Sequence, residues 1–440
     1  MEACIIKKVK IERLWGVKDI ECQLNDDVNV IIGANGSGKS TFLNLIEGVL
    51  QCDAPMLMSV QFKVVTLYLA GNPDFKYIKV KQEQIEDSLV FTYSFGKGIV
   101  FKFNSYDSRR IVGRYSYRGS TVDEIRKYLD GIVKTSWLSV NRFNPFLERD
   151  RDRAENRSYM EIDDNLVNTK VRTLMHELVV YRLRLTNHIN QLANKQNQEV
   201  FSLLLFNKEY DVFNPDKVQA FSQMEARGTQ LSLFKIFRQL GISTEKRDAI
   251  VEHIQAMSEV VKKVQNGENL NLNDVFPLSL INRTISLIEI SKRYSEEIDK
   301  ILEPVKKYQN CLQRFMEDKE FSFSDNSGEL HIDIKPIMSK EYKDKELVGR
   351  KSIGYNSLSS GEKQLLILLT QTLLQESKNY VFIADEPELS LHIDWQHKII
   401  EAIRELNPNA QIIVATHSPE IAGKWQKHIT NLQNVTTYGE

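Results

Sequence analysis

Hydrophobic and polar positions change rhythm twice along this chain. Up to about residue 145 the apolar residues come in short runs: Ile5 to Ile11, Val28 to Ile32, Val60 to Tyr68, Ile78 to Val80, Val90 to Ser94, Ile99 to Phe103 and Ser136 to Val140. Turn signals such as Gly71-Asn-Pro and Gly96-Lys-Gly separate them, and the runs predict β-strands. One helical stretch, Ser40 to Leu50, interrupts them. From about 165 to 318 the spacing becomes three-to-four, as in Val171, Leu174, Leu178 and Tyr181, or Ile281, Ile285, Ile288, Ile290, Tyr294 and Ile298. That spacing predicts several long amphipathic helices forming an arm or hairpin bundle, broken at Gly267-Glu-Asn-Leu-Asn-Leu-Asn, rather than a coiled coil of many heptads.

From about 320 onward strand and helix alternate. Phe321 to Phe323 and Leu330 to Ile334 predict a hairpin around Asp325-Asn-Ser-Gly. A helix follows Gly361, then an apolar strand Tyr380 to Ala384, a helix from His392 to Leu406 and a strand Gln411 to Ala415. Such alternation implies an α/β fold with a buried, largely parallel sheet. The charged run Glu148-Arg-Asp-Arg-Asp-Arg-Ala-Glu-Asn-Arg157 reads as a solvated linker or helix face, or else as a phosphate-binding patch; its alternating signs favour the former. The expected organisation is three stretches, 1–147 and 319–440 on either side of a helical arm over 148–318.

Composition narrows the function classes. Of 440 residues, 58 are Lys or Arg and 59 are Asp or Glu, so a bulk electrostatic grip on nucleic acid or anionic lipid is not indicated. No apolar run approaches the roughly 18 residues of a membrane span, and Met1-Glu-Ala-Cys-Ile-Ile-Lys-Lys lacks a signal-peptide core, so a cytoplasmic protein without a membrane partner is expected. Cys4, Cys22, Cys52 and Cys311 lie far apart with no Cys-x-x-Cys.

The chemistry concentrates in two places. Gly33-Ala34-Asn35-Gly36-Ser37-Gly38-Lys39-Ser40, followed by Thr41, matches G-x-x-x-x-G-K-[ST] between an apolar strand and a helix start, the context a phosphate-binding loop requires. Its glycines let backbone N–H groups point inward, and the helix terminus adds partial positive charge. Lys39 is expected to reach the β- and γ-phosphates of ATP, and the Ser40 hydroxyl to ligate Mg²⁺. Tyr380-Val-Phe-Ile-Ala-Asp385-Glu386-Pro387 reads as a buried strand that delivers two carboxylates at its C-terminal end. Asp385 is expected to hold Mg²⁺ through water and Glu386 to polarise the attacking water.

A third element, Ser357-Leu358-Ser359-Ser360-Gly361-Glu362-Lys363-Gln364 before the apolar run Leu365 to Leu369, resembles the signature of ABC-type ATPases, Leu-Ser-Gly-Gly-Gln. Ser360 stands at the third position and Glu362 at the fifth, as in many chromosome-maintenance and repair members. In that family the signature completes the ATP site of the opposite subunit. The resemblance therefore implies that Ser359, Ser360, Gly361 and Glu362 form a signature acting in trans, with Ser359 and Gly361 touching the γ-phosphate bound by another copy. Glu386-Pro-Glu-Leu-Ser-Leu-His392 resembles the family's D-loop with His for Asp, and Ile412-Ile-Val-Ala-Thr-His417-Ser-Pro ends a strand with its switch histidine, His417. The family's Q-loop would fall at Trp137-Leu-Ser-Val-Asn141-Arg142, which has no glutamine. Arg13-Leu-Trp15-Gly16-Val is similar to its Asn-Phe-Arg-Gly-Ile; Trp15 reads equally as an adenine contact or as a core or interface residue.

An insertion of about 300 residues between Lys39 and Ser359 makes the layout similar to the OLD, RecF and SMC-like ATPases. Within that group the last 50 residues resemble most the AriA ATPases of PARIS anti-phage systems, and next the PtuA ATPases of Septu. The resemblance implies a slow ATPase that senses and scaffolds, forms homo-oligomers through ATP-sandwiched heads and the helical arm, and holds a separately encoded effector nuclease, TOPRIM-type in preference to HNH-type, until a phage trigger protein releases it. Only 23 residues follow His417, so no in-cis nuclease of the OLD kind is expected. The rival expectation is a RecF-like DNA-binding repair or recombination ATPase, which would need a local basic track.

Overall fold

The computed structural model describes residues 4–86, 88–104, 121–139, 159–205, 215–223, 226–239, 247–324, 327–335, 351–388 and 391–438. The chain divides into two compact units: Met1–Val180 joined with Pro304–Glu440, and Tyr181–Glu303. The Trp137–Arg142 region lies only partly within the described residues, with Val140, Asn141 and Arg142 outside them, and the 148–157 charge run lies wholly outside.

The first unit is mixed α/β. Its parallel sheet runs β14 (Ile429–Asn431), β3 (Val28–Ile32), β13 (Ala410–Ala415), β12 (Tyr380–Asp385), β8 (Thr135–Ser139). Nearly every residue of β3, β12 and β13 is buried, because helices and a second sheet cover both faces of a parallel sheet. The second sheet is antiparallel, ordered β15 (Thr436–Tyr438), β2 (Lys18–Gln23), β1 (Ile5–Leu14), β4 (Val64–Ala70), β5 (Tyr77–Ile85), β6 (Ser88–Phe95), β7 (Val100–Asn104). Helix α1 (Lys39–Gln51) buries Phe42, Leu43, Leu45, Ile46, Val49 and Leu50 in the core that also holds Val65, Leu67, Ile383 and Ile413. A buried amide ties the layers together: Gln411 of β13 donates to the Ile6 and Asn25 carbonyls and accepts from the Ile6 N–H. A three-stranded sheet, β11 (Lys351–Ile353), β10 (Leu330–Ile334), β9 (Lys319–Phe323), contains the expected hairpin, whose Asp325 and Asn326 lie outside the described residues.

Several sequence expectations shift. The strand expected over Val60 to Tyr68 begins only at Val64, because Asp53 accepts from the Met56 N–H and Pro55 fits a first turn, starting a short helix α2 (Ala54–Ser59) in the apolar stretch before it. Helix α3 (Thr121–Asp130) buries Val122, Ile125 and Leu129, so Ser40 to Leu50 is not the one helical stretch of the N-terminal part. Strand β2 gives little sequence signal, because only Ile20 and Cys22 of its six residues are apolar and inward. The helix expected from His392 to Leu406 is split into α10 (Ile393–Gln396) and α11 (Ile399–Leu406) by turns at His397 and Lys398.

The second unit is helical. It takes its share of α4 (Tyr159–Ser202) and α8 (Leu272–Phe315), and contains α5 (Pro215–Gln223), α6 (Ala226–Gln239) and α7 (Arg247–Gln265). Its core gathers Val218, Phe221, Leu233, Ile236, Ile250, Ile254, Met257, Val261, Ile281 and Ile285. Glu199 accepts from Tyr294 at 2.7 Å and from Arg293. The expected break falls between α7 and α8, where Asn271 caps the new helix by accepting from Asn273 and Asp274.

Candidate nucleotide-binding site

The register of the parallel sheet assembles the site. Ile31 of β3 pairs with Ala415 of β13, and Ala415 pairs with Asp385 of β12. The C-terminal ends of three adjacent strands are therefore level, and the loop after each emerges at the same rim, where open α/β sheets place ligands. These loops carry Gly33 to Lys39, Glu386 and His417.

At the first loop Ser37 N–H donates to the Ala34 carbonyl at 3.1 Å, and Gly36 and Gly38 take left-handed backbones at φ 73° and 102°. Gly38 is the N-cap of α1 and supplies no side-chain cap; no acidic residue lies in the first turn. The helix thus begins with backbone donors and no competing anion, which suits a phosphate. Lys39 is nearly buried, and its ammonium donates to the Gly33 carbonyl at 2.9 Å and to the Ala34 carbonyl at 3.4 Å. Burial draws its pKa below the ordinary lysine value, opposed by Glu386 and Asp385.

Lys39 also meets the third loop: its Nζ stands 3.0 Å from Nε2 of His417, and that nitrogen lies 3.4 Å from Oε1 of Glu386. Lys39, His417 and Glu386 therefore form one contiguous polar group. Glu386 has φ 48°, an uncommon conformation for a residue with a Cβ. Its N–H donates 2.8 Å to the Ala415 carbonyl, which pins the reversal immediately after the strand and keeps the side chain near His417. Asp385 is buried at the end of β12. Ser40 and Asp385 are hard oxygen donors of the kind Mg²⁺ takes; Ser40 directly follows the loop and the Asp385 charge acts on Lys39, so the residues present fit a nucleotide–magnesium pair.

Trp15 is 39% exposed, so it is not a core residue. Its ring lies against Gly38, 3.2 Å from where a Cβ would stand, and Lys18 sits 4.8 Å over that ring. The ring edge thus borders the start of α1.

The signature-like segment caps helix α9 (Ser360–Leu374). Ser359 Oγ accepts from the Glu362 N–H at 3.3 Å, and Glu362 Oε2 accepts from the Ser359 N–H at 2.8 Å, a reciprocal capping box. Glu362 Oε1 accepts from Lys319 at 2.6 Å. Burial alone would raise the Glu362 pKa, yet its bonds from Lys319 and Ser359 outweigh that and hold it below the ordinary value. The Glu362 side chain is thus engaged within its own chain, whereas Ser359 and Ser360 are exposed at the helix start. Leu365 to Leu369 are all buried, as the apolar run predicts. His392 caps α10, its Nδ1 accepting from the Asp394 N–H at 3.3 Å. Leu389 and Ser390 of the D-loop-like stretch lie outside the described residues. Lys319 carried no sequence signal, since nothing in a charged hairpin strand announces a partner 43 positions away.

Residues 5–422 match the family profile AAA_15, AAA ATPase domain. The chain belongs to this family of AAA ATPase domains. It is 39% identical over 69 residues to a Haemophilus influenzae protein named an uncharacterized ABC transporter ATP-binding protein, covering 16% of this chain and 25% of that one. It is 29% identical over 134 residues to the Retron Ec83 probable ATPase of Escherichia coli, covering 27% and 22%. With the Retron Vc95 probable ATPase of Vibrio cholerae it shares 27% identity over 162 residues, covering 33% and 32%. The matches span a third or less of the length of these relatives. Among solved structures, the Smc head domain with an extended coiled coil from Pyrococcus furiosus, bound to the C-terminal domain of ScpA, covers 99% of this chain and 96% of its own at 14% identity and TM-score 0.41. Among the described residues no helix is long and apolar enough to cross a membrane.

Proposed function

We propose that this ATPase binds Mg·ATP between two copies of itself, hydrolyses it slowly, and acts as the sensor and scaffold of an anti-phage defence complex, holding and then releasing a separate effector nuclease. The observation that carries the ATPase reading is the convergence of Lys39, Glu386 and His417 at the level ends of β3, β12 and β13, with the first turn of α1 beside them. In this reading the head comprises 1–147 and 319–440, and the arm 148–318. The backbone N–H groups of Gly33 to Ser40 and the Thr41 region hold the phosphates. Lys39 gives up His417 to meet the β- and γ-oxygens. Bound Mg²⁺, held by Ser40 and Asp385, would neutralise charge building on the triphosphate. Glu386 accepts a hydrogen bond from the attacking water and orients it in line with the γ-phosphorus, and His417 contacts the γ-phosphoryl oxygens.

The second copy enters through Ser359 and Ser360, exposed at the start of α9 with Gly361 buried behind them, and offers that helix start to the neighbour's γ-phosphate. The occupied assembly differs from the empty one in how the heads meet, and that difference is what an effector nuclease, TOPRIM-type in preference to HNH-type, would read. The AriA-like and PtuA-like character of the last 50 residues supports a defence role, and the likeness to two retron probable ATPases is compatible with it. The decisive experiment pairs Lys39→Ala with Glu386→Gln. Lys39→Ala is expected to abolish nucleotide binding and phage protection, and Glu386→Gln to retain binding and trap the joined state. Undiminished turnover in Glu386→Gln would contradict its role, and failure to co-purify an encoded neighbouring nuclease would contradict the defence assembly.

A further inference from the structure

Two residues past Glu386 lies a carboxylate that the hydrolysis scheme leaves unused. Glu388 is only 7% exposed, and Oε1 accepts from the Thr416 hydroxyl, its closest acceptor. Burial raises the Glu388 pKa above the ordinary carboxylate value, while the bond from Thr416 pulls the other way. Thr416 is itself fully buried and directly precedes His417. Its backbone N–H donates to Ile31 at 3.0 Å, and its hydroxyl oxygen accepts from the Ser418 N–H at 2.8 Å. One hydroxyl thus sits beneath the turn that presents His417, and Glu388 holds that hydroxyl.

The same turn is gripped from another side. The Pro387 carbonyl accepts from Gln364 Nε2 at 3.2 Å, and Gln364 lies just over one turn into α9, the helix capped by Ser359. Residues 386 to 388 therefore touch the His417 loop through Glu388, the signature-like helix through Pro387, and the reacting centre through Glu386.

We propose that Glu388 and Gln364 are positioning residues that clamp this turn from two sides, so that the spacing of Glu386 and His417 follows the placement of the helix beginning at Ser359. This deepens the ATPase reading and rests on it. The clamp makes hydrolysis depend on engagement at Ser359, because displacement of α9 reaches the turn at Glu386 through the Gln364 side chain. Physical coupling of this kind shows itself as non-additivity between the residues that share a bond.

The test is steady-state ATP turnover by the full chain, read as a KM-against-kcat split beside a melting curve. Glu388→Ala and Thr416→Val are each expected to lower kcat roughly three- to tenfold, the worth of one hydrogen bond, with KM for ATP within about twofold. The double variant should lose no more than either single one. Thr416→Ser, which keeps the hydroxyl, and Glu388→Gln, which keeps an acceptor, should retain turnover. Gln364→Ala should lower kcat without moving KM. Should Glu388→Ala fail to fold, the Thr416→Val and Thr416→Ser pair carries the same comparison. Full turnover in both single variants, or losses that multiply in the double one, would overturn the clamp. Lys39→Ala measured alongside separates the two failures: if it leaves nucleotide affinity intact the ATPase reading itself falls, whereas loss there with unchanged Glu388 and Thr416 variants sinks only the clamp.

Discussion

In the unit that carries the site, β12 and β13 are buried along almost their whole length, and the buried Gln411 amide is bonded to Ile6 and Asn25. In Tyr181–Glu303 a buried core stands beside large apolar residues that are left uncovered. Phe201, Leu204, Leu205, Leu231, Val275 and Phe276 are all exposed, and Leu272 is 85% so. The contrast follows from geometry. A parallel sheet covered on both faces has no solvent side, so every strand residue is conscripted into one core. A set of helices needs only one apolar stripe apiece, and residues outside that stripe can stay uncovered at little cost. Fixed catalytic spacing demands the first arrangement, because strands locked in register cannot slide relative to one another without losing the whole ladder.

The contrast is sharpest where chemistry is concerned. Glu386→Gln should lower ATP turnover by about a hundredfold or more while leaving nucleotide affinity and melting temperature close to those of the parent, checked by phosphate release and calorimetry. Packing comes next. Ile413→Ala in the head should destabilise by about 2–5 kcal/mol, whereas Phe276→Ser in the helical unit should change stability by about 0.5 kcal/mol or less, both read from denaturant midpoints. Comparable losses at the two positions would erase the distinction between the units. A smaller effect is expected from Trp15→Ala: if the ring exposed beside Gly38 stacks on adenine, ATP affinity should fall about tenfold with kcat little changed.

The head also carries a pH signature. Burial, with Asp53 adding to it, pushes the Glu47 carboxyl on α1 up to about 8 from an ordinary 4.5. The folded chain then binds more protons than the unfolded one, so this group's stabilising contribution is complete below pH 4.5 and is lost as pH rises towards 8. Glu47→Gln, which mimics the neutral form, should therefore raise the melting temperature more at pH 8 than at pH 5. An equal shift at both pH values would contradict the assignment.

Much of the site was legible because its parts are local. The loop at Gly33 to Ser40 and the strand ending in Asp385-Glu386 are contiguous strings whose spacing encodes backbone geometry. The helix beyond Ser359 was legible from its unbroken apolar run. What escaped were pairings made by the fold between distant positions: Thr416 with Glu388, Gln364 with Pro387, and Lys319 with Glu362. Each partner is an ordinary polar residue on its own. The short elements α2, α3 and β2 escaped for another reason, since two or three inward residues give too little periodicity to outweigh their polar neighbours.

The central claim, that one triphosphate is clasped by two copies, is tested most directly by complementation. Chains carrying Lys39→Ala and chains carrying Ser359→Arg should each be inactive alone, the first unable to hold nucleotide and the second unable to offer its helix start to a neighbour. Mixed in equal amounts, they form some pairs with one intact composite site, and turnover should return to about a quarter of the parent level in a two-fold assembly. Full activity of the Ser359→Arg chain alone, or no recovery on mixing two folded, exchanging variants, would contradict the claim.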